Sequence, residues 1–201
     1  VAVKPRKHSL PYAIGEAGGL VALMVIIKLI EVLMGISFAG FGIVPRDPQG
    51  AIGILTAPLL HGNLAHLFAN IGPLFILLVL LYWDRTYHPT RTVSLIWLAS
   101  GLGTWLIGRA VAADGTQMVH IGASSLIYGL VAYMIVAGVL AKKWRSFFVA
   151  IIVFAAFGGI VYGVLPQRDA TMSWEGHLSG AIAGVLVASN NFSGQKKLRK
   201  A

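Results

Sequence analysis

Cysteine is absent from the 201 residues, which excludes a disulfide framework, a thiolate nucleophile and a zinc–thiolate site. Charge is scarce: Asp, Glu, Lys and Arg make up 11% of the chain, with seven acidic residues against sixteen basic ones. A soluble domain is not solvated by so few charges, and the 57% hydrophobic content exceeds the roughly 45 to 50% usual for one. With a mean hydropathy of +0.78, the chain reads as a membrane protein. The formal charge of +9 does not point to nucleic acid, because the cations gather in the tails and short connectors rather than along one face.

A hydrocarbon core about 30 Å thick needs about 20 mostly apolar residues per helix. Six segments qualify or nearly do: 17–40, 63–83, 92–112, 121–141, 146–165 and 176–190. The last is the shortest and suits a helix reaching a water-filled cavity. The first is longer than a signal-peptide core and no small-residue cleavage site follows it, so it is read as a retained span. The expected fold is all-α, a polytopic bundle of six transmembrane helices at 15–190, between basic, unstructured cytoplasmic tails at 1–14 and 191–201.

The cations assign the sides. Lys4, Arg6, Lys7, Arg85, Arg91, Lys142, Lys143, Arg145, Lys196, Lys197, Arg199 and Lys200 fall on one face, against Arg46, Arg109 and Arg168 on the other. The positive-inside rule makes the first face cytoplasmic and puts both tails there, in the cell membrane. The first outer connector, FAGFGIVPRDPQGAIGILTAPLLHGN, is apolar enough to pack against the bundle or the interface. Trp83, Tyr87, Trp144 and Trp174 sit at span ends, as an interfacial belt does.

Under this topology the second, fourth and sixth helices begin at the outer face, and their first turns hold unusual polar groups. HGNLAHLFAN supplies His61, His66 and Asn70; GASS supplies Ser124 and Ser125; EGHLSG supplies His177 and Ser179. His66 and Asn70, four apart, share a helix face. Any one of them alone is accounted for by helix packing, but a hydroxyl, imidazoles and an amide meeting at one depth suggest chemistry. Ser with His is the minimal pair for acyl transfer: imidazole takes the hydroxyl proton and the oxygen attacks a carbonyl. Among the acids only Glu175 is near His177 in sequence, and residues two apart on a helix do not face each other. A dyad is therefore expected rather than a triad, with the imidazole held by packing. Gly180 and Gly184 form a GxxxG step that, with Gly122 and Gly129, brings the fourth and sixth helices close enough to join Ser124 to His177.

With HGNLAHLFAN, GASSLIYG and GHLSGAIAG in this order on alternate helices, the chain resembles the rhomboid family of intramembrane serine proteases. The resemblance implies Ser124 as nucleophile and His177 as general base. It implies that His66, Asn70 and the Ser124 backbone stabilise the oxyanion, that Tyr128 packs on His177, and that His61 is structural. It further implies transmembrane protein substrates, cut at the outer boundary of the bilayer after lateral entry past the fifth helix and the loop before the sixth; Gly158, Gly159 and Gly163 in the fifth helix suit either such gating or ordinary packing. The chain departs from the family in carrying Ser125 where glycine usually follows the nucleophile, and in lacking a Trp-Arg pair in the first outer loop.

Lys28 and Glu31, three apart in the first helix, are read as a neutralising pair, and His120 as a solvated loop residue. A metal site from His61, His66 and His177 is disfavoured by the absence of HExxH. No cofactor is expected, and nothing in the sequence fixes an oligomeric state. The rival reading is a non-catalytic rhomboid-like protein that binds membrane clients for quality control. A small transporter would require broken helices and midplane charges, for which only Lys28 and Glu31 offer support.

Overall fold

A computed structural model describes residues 6–112, 114–166 and 172–198. Lys4, Arg168, Asp169, Arg199 and Lys200 lie outside the described residues. Every regular element among those described is helical; extended pairing is limited to the isolated bridges Ile43 with His120 and Val111 with Gln117. Six long helices organise the chain: α1 (Leu10–Met34), α2 (Leu64–Trp83), α3 (Pro89–Ile107), α4 (Ser124–Leu140), α5 (Trp144–Phe157) and α6 (Trp174–Leu198).

Helix α1 begins and ends earlier than expected. Ser9 caps its start, its hydroxyl accepting from the Tyr12 amide at 3.4 Å, and Gly35 stops it in the left-handed conformation that glycine adopts without steric cost. The apolar run that continues to Phe41 is a loop closed by a 3-10 turn at Ala39–Phe41, so hydropathy alone overshoots the helix end. Helix α5 gives way at Gly158 to 3-10 turns through Val164. Helix α6 runs on to Leu198, through residues expected to be tail: Asn191 Nδ2 donates to Thr92 Oγ1 at 3.1 Å and to the Tyr133 hydroxyl at 3.2 Å, and Phe192 is buried.

Among the described residues, α1 and α2 are individually long and apolar enough to cross a membrane, whereas α4 and α5 are apolar but shorter, with 17 and 14 residues. The six full spans expected from the sequence are therefore not all met by length and hydropathy. The short α4 is the central helix: Leu126, Leu130, Tyr133, Met134 and Ala137 are fully enclosed by neighbouring helices. The outside of the bundle is apolar, with Leu33, Phe68, Phe148, Phe154 and Leu186 all exposed, a surface suited to lipid rather than water.

The first connector packs as expected. Arg46 donates to the carbonyls of Leu106 and Gly108 at 3.0 and 2.9 Å, Trp105 Nε1 donates to the Asp47 carbonyl at 2.9 Å, and Ile43 exchanges backbone hydrogen bonds with His120. The buried Glu31 is the tie to α1: Lys28 Nζ lies 3.1 Å from its Oε2, and its Oε1 accepts the Phe38 amide at 2.6 Å. Lys28 also donates to the His61 carbonyl at 2.9 Å and the Gly62 carbonyl at 3.2 Å. The pair thus fastens both ends of the connector, including the turn that leads into α2.

Helices α4 and α6 meet backbone to backbone. A Cβ at Gly180 would run into the Ser125 carbonyl, and one at Gly184 into the Gly129 carbonyl. At Gly19 on α1, by contrast, an added methyl meets nothing. Gly184→Ala is accordingly expected to destabilise the protein by about 1 to 3 kcal/mol through overpacking, while Gly19→Ala stabilises it by up to about 1 kcal/mol through helix propensity. Thermal unfolding of the two variants in detergent measures the difference; equal shifts would contradict the close approach.

Candidate active site

The first turns of α2, α4 and α6 gather at one end of the bundle around a cleft of about 700 Å³. Asn63, His66, Asn70, Ser124, Tyr128 and His177 line it. Each owes its place to a local device. Asn63 caps α2, its Oδ1 accepting the His66 amide at 2.7 Å, which fixes the turn bearing His66. Asn70, one turn on, donates Nδ2 to the His66 carbonyl at 2.7 Å. Gly122 precedes α4 with φ of 107°, a conformation that disfavours side chains, and a Cβ there would press on the His66 imidazole. The GASS glycine is thus required both by the turn into α4 and by the approach of His66.

Ser124 opens α4, so its backbone amide belongs to the first turn, whose N–H groups have no intrahelical acceptor. Its hydroxyl lies 3.0 Å from His177 Nε2. The other ring nitrogen, Nδ1, is 2.9 Å from the Gly163 carbonyl oxygen. A carbonyl only accepts, so Nδ1 carries the proton and Nε2 presents its lone pair to the Ser124 hydroxyl. Tyr128 stacks on the imidazole with ring centroids 4.1 Å apart and planes 8° from parallel. Gly163 is a position the sequence reading did not assign to the site: a backbone acceptor has no residue-type signature. A Cβ there would collide with the Tyr128 hydroxyl, so the carbonyl reaches His177 because the residue is glycine.

His61 is buried and stands edge-on to His66, with ring centroids 5.0 Å apart, behind the cleft rather than lining it. Ser125 does not line the cleft; together with Ser124 it borders a small adjoining cavity of about 20 Å³ next to Thr104, His120 and Ser173. Of the two adjacent serines only Ser124 lines the cleft and is hydrogen-bonded to His177.

His120 is not a solvated loop residue. It is buried, its Nε2 bonds the Arg109 carbonyl at 2.8 Å and its Nδ1 bonds Ser173 Oγ at 2.6 Å. Burial holds its imidazole below the ordinary histidine range. Glu175, also buried, accepts from Arg109 Nε at 2.5 Å, and Arg109 Nη2 donates to the Met172 carbonyl at 2.8 Å. These contacts anchor the residues just before α6, and with them the turn that carries His177. Arg109 and Glu175 were legible as isolated opposite charges at one predicted depth, though not as partners.

The Rhomboid domain family matches residues 48–192 of the chain. A protein of Mycobacterium tuberculosis (strain ATCC 25618 / H37Rv), named only as uncharacterized, is 38% identical over 181 residues, spanning 89% of this chain and 75% of that protein. One from Mycobacterium leprae (strain TN), named likewise, is 34% identical over 180 residues, 89% of this chain and 71% of the relative. The Inactive RHOMBOID-like protein 8 of Arabidopsis thaliana is 32% identical over 122 residues, 58% of this chain and 32% of that protein. No solved structure gives a significant match. The family match takes in the first turns of α2, α4 and α6 together with most of the lipid-facing bundle, and the chain accordingly belongs to the rhomboid family of membrane proteins.

Proposed function

We propose that the protein is an intramembrane serine endopeptidase that cleaves peptide bonds in or next to transmembrane segments of other membrane proteins. The observation that carries this reading is the Ser124 hydroxyl within hydrogen-bond reach of an imidazole whose tautomer is fixed by the Gly163 carbonyl. His177 Nε2 takes the Ser124 proton as Oγ bonds to the substrate carbonyl carbon. The oxyanion that results is met by the Ser124 amide, Asn70 Nδ2 and the His66 ring, which border the same cleft. His177 then hands its proton to the departing amine, and a water activated by the same imidazole hydrolyses the acyl-enzyme. Tyr128 keeps the ring in plane throughout.

The fold in the bilayer completes the proposal. All six long helices are taken to traverse the cell membrane, with the cleft opening outward and the basic connectors in the cytoplasm. Substrates of this reading are transmembrane proteins whose helix ends unwind readily enough to enter the cleft. Helix α5 ends at Phe157, which lines the cleft, and 3-10 turns follow it on that side.

A non-catalytic reading has one point in its favour, the relative whose name describes it as inactive. Against it stands the intact Ser124–His177 pair. Cleavage of a fluorogenic transmembrane peptide by purified protein in liposomes separates the two. Ser124→Ala and His177→Ala are expected to fall to background while Ser125→Ala keeps its turnover; activity surviving in Ser124→Ala would overturn the assignment. Asn70→Ala is expected to lower kcat by about 10² to 10³, the cost of one oxyanion donor, with little change in melting temperature. A kcat close to wild type in that variant would remove Asn70 from the site.

A further inference from the structure

At the opposite end of the bundle lies a second concavity, of about 630 Å³, that the proposed chemistry does not use. Helix α2 starts beside the candidate active site and, at 1.5 Å per residue over 20 residues, ends about 30 Å away at Trp83. Four cations converge there from four separate segments: Lys7 ahead of α1, Arg85 between α2 and α3, Arg91 in the first turn of α3, and Lys143 ahead of α5. A bias of positive charge toward one membrane face requires cations on connectors, but it does not require them to line one hollow. Lys142 and Arg145, equally exposed neighbours of Lys143, do not line it.

No carboxylate among the described residues lines the hollow; Glu16, one turn beyond Tyr12, interacts with the Tyr12 side chain at its floor. Among the described residues the salt bridges are Lys28 with Glu31 and Arg109 with Glu175, both remote from it. Asp84, the nearest carboxylate in sequence, accepts the Thr86 amide at 2.8 Å and does not line the hollow. Lys143 Nζ has the neutral Thr86 hydroxyl as its partner at 2.9 Å. Helix α3 adds to the field, for its start at Pro89 has no side-chain cap and the Thr90 and Arg91 amides have no intrahelical acceptors. The floor is Tyr12 and Pro89.

We propose that this hollow binds the phosphate of an anionic phospholipid headgroup. Four cations, the Thr90 and Arg91 amides and the Thr86 hydroxyl are donors that a phosphodiester takes. Depth decides for a lipid rather than a soluble phosphate. Trp83 and Trp144, both exposed at the same end of the bundle, immediately flank the cationic connectors, and tryptophan marks the level of headgroups. The inference rests on the chain's membrane location and is independent of the protease reading.

The test uses the full chain in detergent, mixed with phosphatidylglycerol or phosphatidylcholine of identical acyl chains, with bound lipid read by native mass spectrometry. Wild type is expected to retain phosphatidylglycerol in preference to phosphatidylcholine. Each cation near an anionic headgroup contributes about fivefold, so Arg85→Gln/Arg91→Gln is expected to weaken phosphatidylglycerol binding by about thirtyfold. Arg91→Gln/Lys143→Gln is an independent second variant with the same expectation, and Lys142→Gln/Arg145→Gln, which removes equal charge from the same face, leaves binding unchanged. Equal retention of the two lipids, or equal loss in the pocket and control variants, overturns the proposal. Displacement of the lipid by excess inorganic phosphate also overturns it, in favour of a soluble phosphate ligand.

Discussion

The backbone contact between α4 and α6 is the constraint on which the rest of the molecule depends. Gly180 and Gly184 lie against the carbonyls of Ser125 and Gly129, with no room for a methyl group at either position. A glycine inside a helix costs about 1 kcal/mol relative to alanine, so two of them in α6 are a local disadvantage that the tertiary contact must offset. What they permit is a separation between helix axes small enough for Ser124, at the start of α4, to meet His177, one turn into α6. Larger residues would hold the helices apart and leave two ordinary polar side chains in an apolar bundle.

Around that contact, two ion pairs with buried carboxylates fix the connectors. Lys28 and Glu31 tie the end of α1 to both ends of the first connector, and Arg109 with Glu175 ties the loop after α3 to the start of α6. Charges in such surroundings are costly unless paired and hydrogen-bonded, and Lys28, Glu31 and Arg109 have further partners in backbone amides or carbonyls. His120 plays a neutral version of the same part, bonded on both nitrogens between Arg109 and Ser173. These ion pairs and His120 thus fasten the loops that place the first turns of α2, α4 and α6 around one cavity.

The pattern of apolar runs and the three polar first turns could be read from residue type and spacing, because a histidine, a serine and an asparagine are conspicuous in apolar surroundings. The glycine step was legible for the same reason: its effect is local to one helix face. Helix ends were less so. The boundary of α1 depends on the capping of Ser9 and the left-handed Gly35, while the apolar signal continues past it. The end of α6 depends on Asn191 finding Thr92 and Tyr133, partners 99 and 58 residues away. Gly163 and His120 were missed or misread because their roles lie in a backbone carbonyl and in a contact with Ser173, 53 residues distant. Such pairings are properties of the assembled bundle.

The account stands or falls on whether Ser124 is the reactive hydroxyl of the pair. Purified protein treated with a fluorophosphonate and digested for peptide mass spectrometry reports the modified residue directly. One adduct on Ser124, lost when His177 is replaced by alanine, is the predicted result. An adduct on Ser125, or none on a preparation that is folded and monodisperse, would contradict it.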